Sequence, residues 1–190
     1  IGNSAFAYCK KLKEITIPAS VISIGNFAFN GCTGLETLNL EDGDEDLLLG
    51  YNCYDDNKYS TSQKGLFRDC GIEVLYLGRN LKYEYNDKSS DTLFYAYGYS
   101  AFANISTLTT VNISVPAGLN SFTIGKYAFK GCTGINNATF TTPEGESWTW
   151  FKSSLGSITS SGTTVDVSNT TDAAYVLKNL GESYLHGKKQ

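Results

Sequence analysis

Apolar positions along this chain follow a long fixed period more clearly than a helical or strand period. Phe6, Cys9, Leu12, Ile15 and Ile17 are matched at Phe29, Cys32, Leu35, Leu38 and Leu40, each displaced by 23 residues. The frame returns at Gly125, Ala128, Phe129, Cys132, Ile135, Ala138 and Phe140. It recurs with Ile in place of Cys at Gly98, Ala101, Phe102, Ile105, Leu108, Val111 and Ile113. A fifth set, Phe67, Cys70, Ile72, Leu75 and Leu77, fits once a residue is deleted after the Cys. Self-similarity of this kind is the signature of repeat architecture and takes precedence over local assignment.

Within one copy, the Ile15-Thr16-Ile17 alternation predicts a short strand with one face inward, ended by Pro18. Val21 and Ile24 then return along the interior. A Gly stands four residues before the Phe at Gly2, Gly25, Gly98 and Gly125, which predicts positive φ or a close approach between coils there. A single unit cannot enclose its own apolar side, so copies must stack with their strands in a parallel sheet. At roughly 4.8 Å per strand, five coils make a rod about 25 Å long.

The pattern Gly-x-x-Ala-Phe-x-x-Cys-x-x-Leu-x-x-Ile-x-Ile-Pro-x-x-Val-x-x-Ile, present almost position for position in residues 2–24, resembles the BspA-like leucine-rich repeats of surface proteins from host-associated bacteria and some parasitic protists. Leu75-Tyr-Leu-Gly-Arg-Asn80-Leu is similar to a longer variant of that repeat. The resemblance implies a solenoid of right-handed coils with a parallel β-sheet on one face and irregular return segments. It also implies adhesion to host matrix proteins, other bacteria or glycans at the cell surface.

Residues 1–142 read as the repeat array and 143–190 as a C-terminal capping region. Thr163-Thr-Val165-Asp-Val167 echoes Thr109-Thr-Val111-Asn-Ile113 and predicts a sixth strand. Thr171 is the expected N-cap of a helix that begins at Asp172 and Ala173 and stops at Gly181. Trp148, Trp150 and Phe151 are expected to pack in this region, shielding the last coil. The chain opens at Ile1 inside the pattern and holds no Met, which predicts a fragment or processed form whose first coil exposes an apolar edge unless an upstream repeat covers it. Any signal peptide would lie outside these residues.

Composition narrows the chemistry. The 190 residues carry a formal net charge of −4 and no basic cluster beyond short pairs such as Lys10-Lys11, which argues against a nucleic-acid partner. No apolar run approaches the roughly 20 residues that span a bilayer. Cys9, Cys32, Cys70 and Cys132 share one repeat position, where free thiols act as small buried wedges, and Ile105 replaces them in a fourth copy. No Cys-x-x-Cys spacing suggests a metal. Glu41-Asp-Gly-Asp-Glu-Asp46 lacks the spacing of a calcium loop and reads as a solvated insertion. The single His, His186, beside a Gly-Lys-Lys-Gln tail, reads as an exposed bystander. Sequons at Asn104, Asn112, Asn137 and Asn169 are about as many as chance supplies, so they do not support glycosylation. Catalytic residues, cofactors and metals are therefore not expected.

Two surfaces remain for binding. The alternation turns Glu14, Thr16, Thr37, Asn39, Val74, Tyr76, Thr110, Asn112, Asn137 and Thr139 outward, a flat polar ladder with Tyr76 as its bulky anchor. Insertions at about 41–64 and 78–96 interrupt the stacking and carry Tyr51, Tyr54, Tyr59, Tyr83, Tyr85 and Tyr95. Such rings offer large contact area with a polar tip. They either meet a ligand or fold back over the long repeats' own sides, the second being the simpler role. The sequence thus reads as a non-enzymatic cell-surface module that binds a protein or glycan. Its rivals are a structural spacer and a non-catalytic part of a larger surface enzyme.

Overall fold

Twelve short strands and one helix follow one another along the described chain: β1 (Glu14–Ile17), β2 (Ser23–Ile24), β3 (Thr37–Leu40), β4 (Leu47–Leu49), β5 (Val74–Leu77), β6 (Leu81–Tyr83), β7 (Thr110–Ser114), β8 (Ser121–Ile124), β9 (Asn137–Thr141), β10 (Trp148–Ser153), β11 (Thr163–Val165), α1 (Thr170–Lys178) and β12 (Tyr184–Lys189). The structure, a computed structural model, describes residues 1–52, 65–83, 101–154 and 162–190. Cys53, Tyr54, Tyr59, Tyr85, Tyr95 and Gly98 lie outside the described residues, and of Tyr83 only the backbone falls within them.

The repeat builds a five-stranded parallel sheet in the order β1-β3-β5-β7-β9. Inward positions align across it without a slip: Ile15, Leu38, Leu75, Val111 and Ala138 form one row, and Ile17, Leu40, Leu77, Ile113 and Phe140 the next. Behind the sheet, Phe6, Phe29, Phe67, Phe102 and Phe129 form one column, with successive ring centroids 5.4, 5.3, 5.6 and 5.4 Å apart. All but Phe6 are fully buried, Phe6 lying in the outermost coil of the described stack. Burying each ring is worth roughly 1.5–3 kcal/mol.

The return segments are more regular than the sequence suggests. β2, β4 and β6 make a second, three-stranded parallel sheet, so the segments read as insertions at 41–64 and 78–96 contain stacked strands. Leu47, Leu49 and Leu81 are core residues. Asp42 accepts a hydrogen bond from Ser114 Oγ (3.0 Å), Glu41 accepts one from the Ala19 N–H (3.2 Å), and Asp46 pairs with Lys82. The acidic stretch is therefore stitched to neighbouring coils, although most of its side chains remain exposed.

Close approach explains the glycine at Gly25, where a Cβ would fall 2.4–2.8 Å from Asn3 and Gly2 of the preceding coil, whereas one on Gly2 would meet nothing within 4 Å. Positive φ appears two residues later instead, at Ser4, Phe27 and Tyr127, and again after the Phe, at Tyr8, Gly31, Asn104 and Gly131.

Four expectations fail at the ends of the stack. Cys9 is exposed, since no coil among the described residues covers it, whereas Cys32, Cys70 and Cys132 are buried. The strand at 163–165 does not join the repeat sheet; β11 pairs antiparallel with β10 in a four-stranded sheet ordered β11-β10-β12-β8. The helix is capped by Asn169 rather than Thr171: Asn169 Oδ1 accepts from the Asp172 N–H (2.9 Å), so the helix opens earlier than expected. His186 is not an exposed bystander but 6% exposed, because its strand β12 lies between β10 and β8. The helix buries Ala173, Ala174 and Leu177 and packs beside β9.

Candidate functional site

The outer face of the repeat sheet carries two rows in register. One reads Glu14, Thr37, Val74, Thr110 and Asn137, the other Thr16, Asn39, Tyr76, Asn112 and Thr139. Strand alternation brings every sheet-face residue expected from the sequence into these rows. Tyr76, 45% exposed, stands at the centre of the second row with an Asn on each side. Thr139 Oγ1 donates to Asn112 Oδ1 (2.8 Å), and Asn39 Nδ2 lies 3.5 Å from Thr16 Oγ1, so both amides are oriented from the outer strands. Glu14 is the sole ionisable side chain in the two rows apart from the Tyr76 phenol. Beyond Glu14 on the edge strand, the face offers neutral donors and acceptors around one aromatic ring.

The insertion tyrosines do not join this face within the described residues. Tyr51 follows β4 of the second sheet and sets its ring edge-on to Phe27, 5.8 Å away. Its N–H donates to Asn26 Oδ1 (3.0 Å) and its carbonyl accepts from the Phe27 N–H (2.8 Å). The ring thus covers a coil corner, yet stays 37% exposed.

Two devices that periodicity missed tie neighbouring coils together. Each buried cysteine donates its S–H to the carbonyl of the Phe one coil earlier: Cys32 to Phe6 (2.9 Å), Cys70 to Phe29 (3.6 Å) and Cys132 to Phe102 (2.9 Å). Burial raises all three thiols, Cys132 to about 12. They are protonated and unreactive at neutral pH, which suits a donor and not a nucleophile. The second device is Arg79, fully buried, whose guanidinium donates to Ala19 O (3.1 Å), Val21 O (2.9 Å) and twice to Glu45 O (3.2 and 2.9 Å). One side chain after β5 thereby ties together turns from two other coils. Burial lowers its pKa against the opposing pull of Asp46 and Glu45.

His186 meets Thr123 at 2.8 Å between its Nδ1 and the hydroxyl, while the Thr123 N–H donates to Asn80 Oδ1 (2.9 Å). Burial, and then the Lys188 charge, lower the imidazole pKa. Among the described residues no group of three or more His, Cys, Asp or Glu side chains could hold a metal ion. No helix among them is long and apolar enough to cross a membrane.

Parallel strands stacked coil on coil, with an aromatic column inside and a polar ladder outside, define a leucine-rich repeat solenoid. The model of the BspA type leucine rich repeat region matches in six copies over residues 1–62 and 90–180, and the chain belongs to that family. Members are typically surface-associated repeat modules, generally without enzymatic activity. The structure adds a coil at Phe67 and β5 that this match leaves out. No curated protein and no solved structure matches the chain.

Proposed function

We propose that this chain is a non-enzymatic binding and adhesion module at the cell surface. It recognises a protein or glycan through the row Thr16, Asn39, Tyr76, Asn112 and Thr139 on right-handed coils, and residues 143–190 close the last coil. The observation that carries this reading is the unbroken register of that row over five strands, which presents polar groups at a fixed spacing of roughly 4.8 Å. Tyr76 supplies the contact area and the flanking amides supply direction. A rigid sheet loses little conformational entropy when it binds, so even sparse contacts count.

The test is a binding screen of the purified chain against matrix proteins and glycans, with Tyr76→Ala beside Tyr175→Ala, an exposed ring on the helix. Central aromatic anchors are worth about 2 kcal/mol or more, so Tyr76→Ala is expected to weaken binding roughly 30-fold. Tyr175→Ala is expected to leave it unchanged. No binding to any member would favour a spacer that only projects another domain.

A further inference from the structure

The end of the stack away from β1 holds a second feature that neither the repeat nor the family accounts for. Phe140 continues the inward row of Ile17, Leu40, Leu77 and Ile113, but among the described residues no strand of the repeat sheet lies beyond β9, and the ring stays half-buried. A cleft of about 610 Å³ opens there, within the range of small-ligand sites. Part-buried Phe140 and Trp148 line it over the buried Trp150, and Thr142, Thr164, Asp166 and Ser168 contribute polar groups.

The aromatic wall is fixed. Trp150 stands edge-on to Phe140 with centroids 4.8 Å apart, and Trp148 lies 6.5 Å from Trp150 at an interplanar angle of 29°. Behind Trp150 is Gly187, where a Cβ would come within 2.8–2.9 Å of the indole carbons. The Trp148 indole N–H donates to Glu146 Oε2 (2.9 Å), and Glu146 Oε1 accepts from Lys189 Nζ (2.6 Å). With its N–H already engaged, Trp148 offers the cleft ring surface alone.

The rim has the opposite character. Asp166 Oδ1 accepts from the Ser168 N–H (2.8 Å), and its bonds from Ser168 hold the carboxyl below the usual range, so it is ionised and purely an acceptor. No ion pair involves Asp166 among the described residues.

We propose that this cleft binds a neutral pyranose ring of a glycan. A pyranose presents a patch of C–H groups on one face and hydroxyls around its edge. The first matches indole and phenyl surface, and the second matches a carboxylate flanked by Thr and Ser hydroxyls. The charge decides among ring-shaped ligands: Asp166 repels uronic and sialic acids. An apolar side chain from a peptide would make no use of Asp166 and the hydroxyls.

Both tryptophans of the chain adjoin this cleft, Trp148 at its surface and Trp150 buried behind it, so tryptophan emission is a probe of its occupancy. Titration with the methyl β-glycosides of glucose, galactose and N-acetylglucosamine is expected to shift the emission with a Kd on the order of 1 mM for at least one of them. Asp166→Asn and Thr164→Val are each expected to weaken that sugar about tenfold with unchanged thermal melts, and Tyr76→Ala is expected to have no effect. The proposal is overturned by an emission unmoved at roughly a hundredfold higher sugar. It is equally overturned by titrations of both rim variants that match wild type, or by tetramethylammonium or glucuronate binding in place of the neutral sugars. Because Tyr76→Ala separates the two surfaces, failure here leaves the sheet-face reading standing.

Discussion

Replacing the middle ring of the aromatic column tests how the coils hold one another. Phe67 is fully buried and lies between Phe29 at 5.3 Å and Phe102 at 5.6 Å. Phe67→Ala removes a whole buried ring, which costs about 3–5 kcal/mol. It also removes two ring pairs worth roughly 0.5–1.5 kcal/mol each beyond area, which places the loss at the upper end. Phe6 is half-buried and has the single neighbour Phe29 at 5.4 Å. Half the burial value and one ring pair give about 2 kcal/mol for Phe6→Ala. Urea unfolding with a slope of about 2–3 kcal/mol/M translates these into midpoint shifts of roughly 2 M and under 1 M. Because stability in a solenoid sums over neighbouring units, cutting the middle contact also uncouples the two halves, so Phe67→Ala is expected to broaden the transition while Phe6→Ala leaves its slope unchanged. Equal losses for the two variants, or a Phe67→Ala loss below about 1.5 kcal/mol, would refute a column of mutually supporting rings.

Thiol accessibility gives an independent check: at pH 8, iodoacetamide followed by peptide mass spectrometry is expected to label Cys9 quickly and Cys132 only on unfolding, and early labelling of Cys132 would contradict its place between coils. Arg79→Met should cost about 3 kcal/mol by removing four charge-assisted bonds to part-buried carbonyls, and Arg79→Lys should rescue little, since an ammonium lacks the planar fork; a near-neutral Lys variant would mean the fork is dispensable. His186 titrates below its unfolded value of about 6.5, so the unfolded chain binds the extra proton first. Its contribution is therefore complete above about pH 6.5 and is lost as the pH falls through the lower folded value. The urea midpoint should drop on acidification more in wild type than in His186→Asn, and parallel pH profiles would remove this histidine from the account.

The parts of the fold visible in the sequence are those in which each coil repeats the same local choice. Phe6 to Phe129 and the alternation of Thr16 between Ile15 and Ile17 recur with the stacking that uses them, so their column and row could be read directly. Cys9 shows where that logic ends, since its neighbours in sequence match those of Cys32 but no coil among the described residues covers it. The second sheet was hidden because Leu47-Leu-Leu49 is a short apolar run beside an acidic stretch, with no alternation to mark a strand. β12 is masked in a different way. As a central strand it buries Tyr184 through Gly187 consecutively, and its pairing partners lie far away in sequence. Its Lys188-Lys189 end imitates a solvated tail. Arg79 could not be anticipated because its partners are backbone carbonyls of distant turns. Of the candidate site, Thr16, Asn39, Tyr76, Asn112 and Thr139 followed from strand parity. The Trp148 and Trp150 cleft required the antiparallel sheet that assembles it.

The central claim, that the outer row acts as one continuous platform, is tested most directly by an alanine scan along it. Thr16, Asn39, Tyr76, Asn112 and Thr139 are changed singly, and affinity for the matrix protein or glycan captured in the screen is measured by surface plasmon resonance. The account predicts a peaked profile: the largest loss at Tyr76, about 2 kcal/mol, smaller losses at Asn39 and Asn112, and near-neutral ends. A flat profile in which all five variants bind like wild type, while the captured ligand still binds the chain, would contradict it.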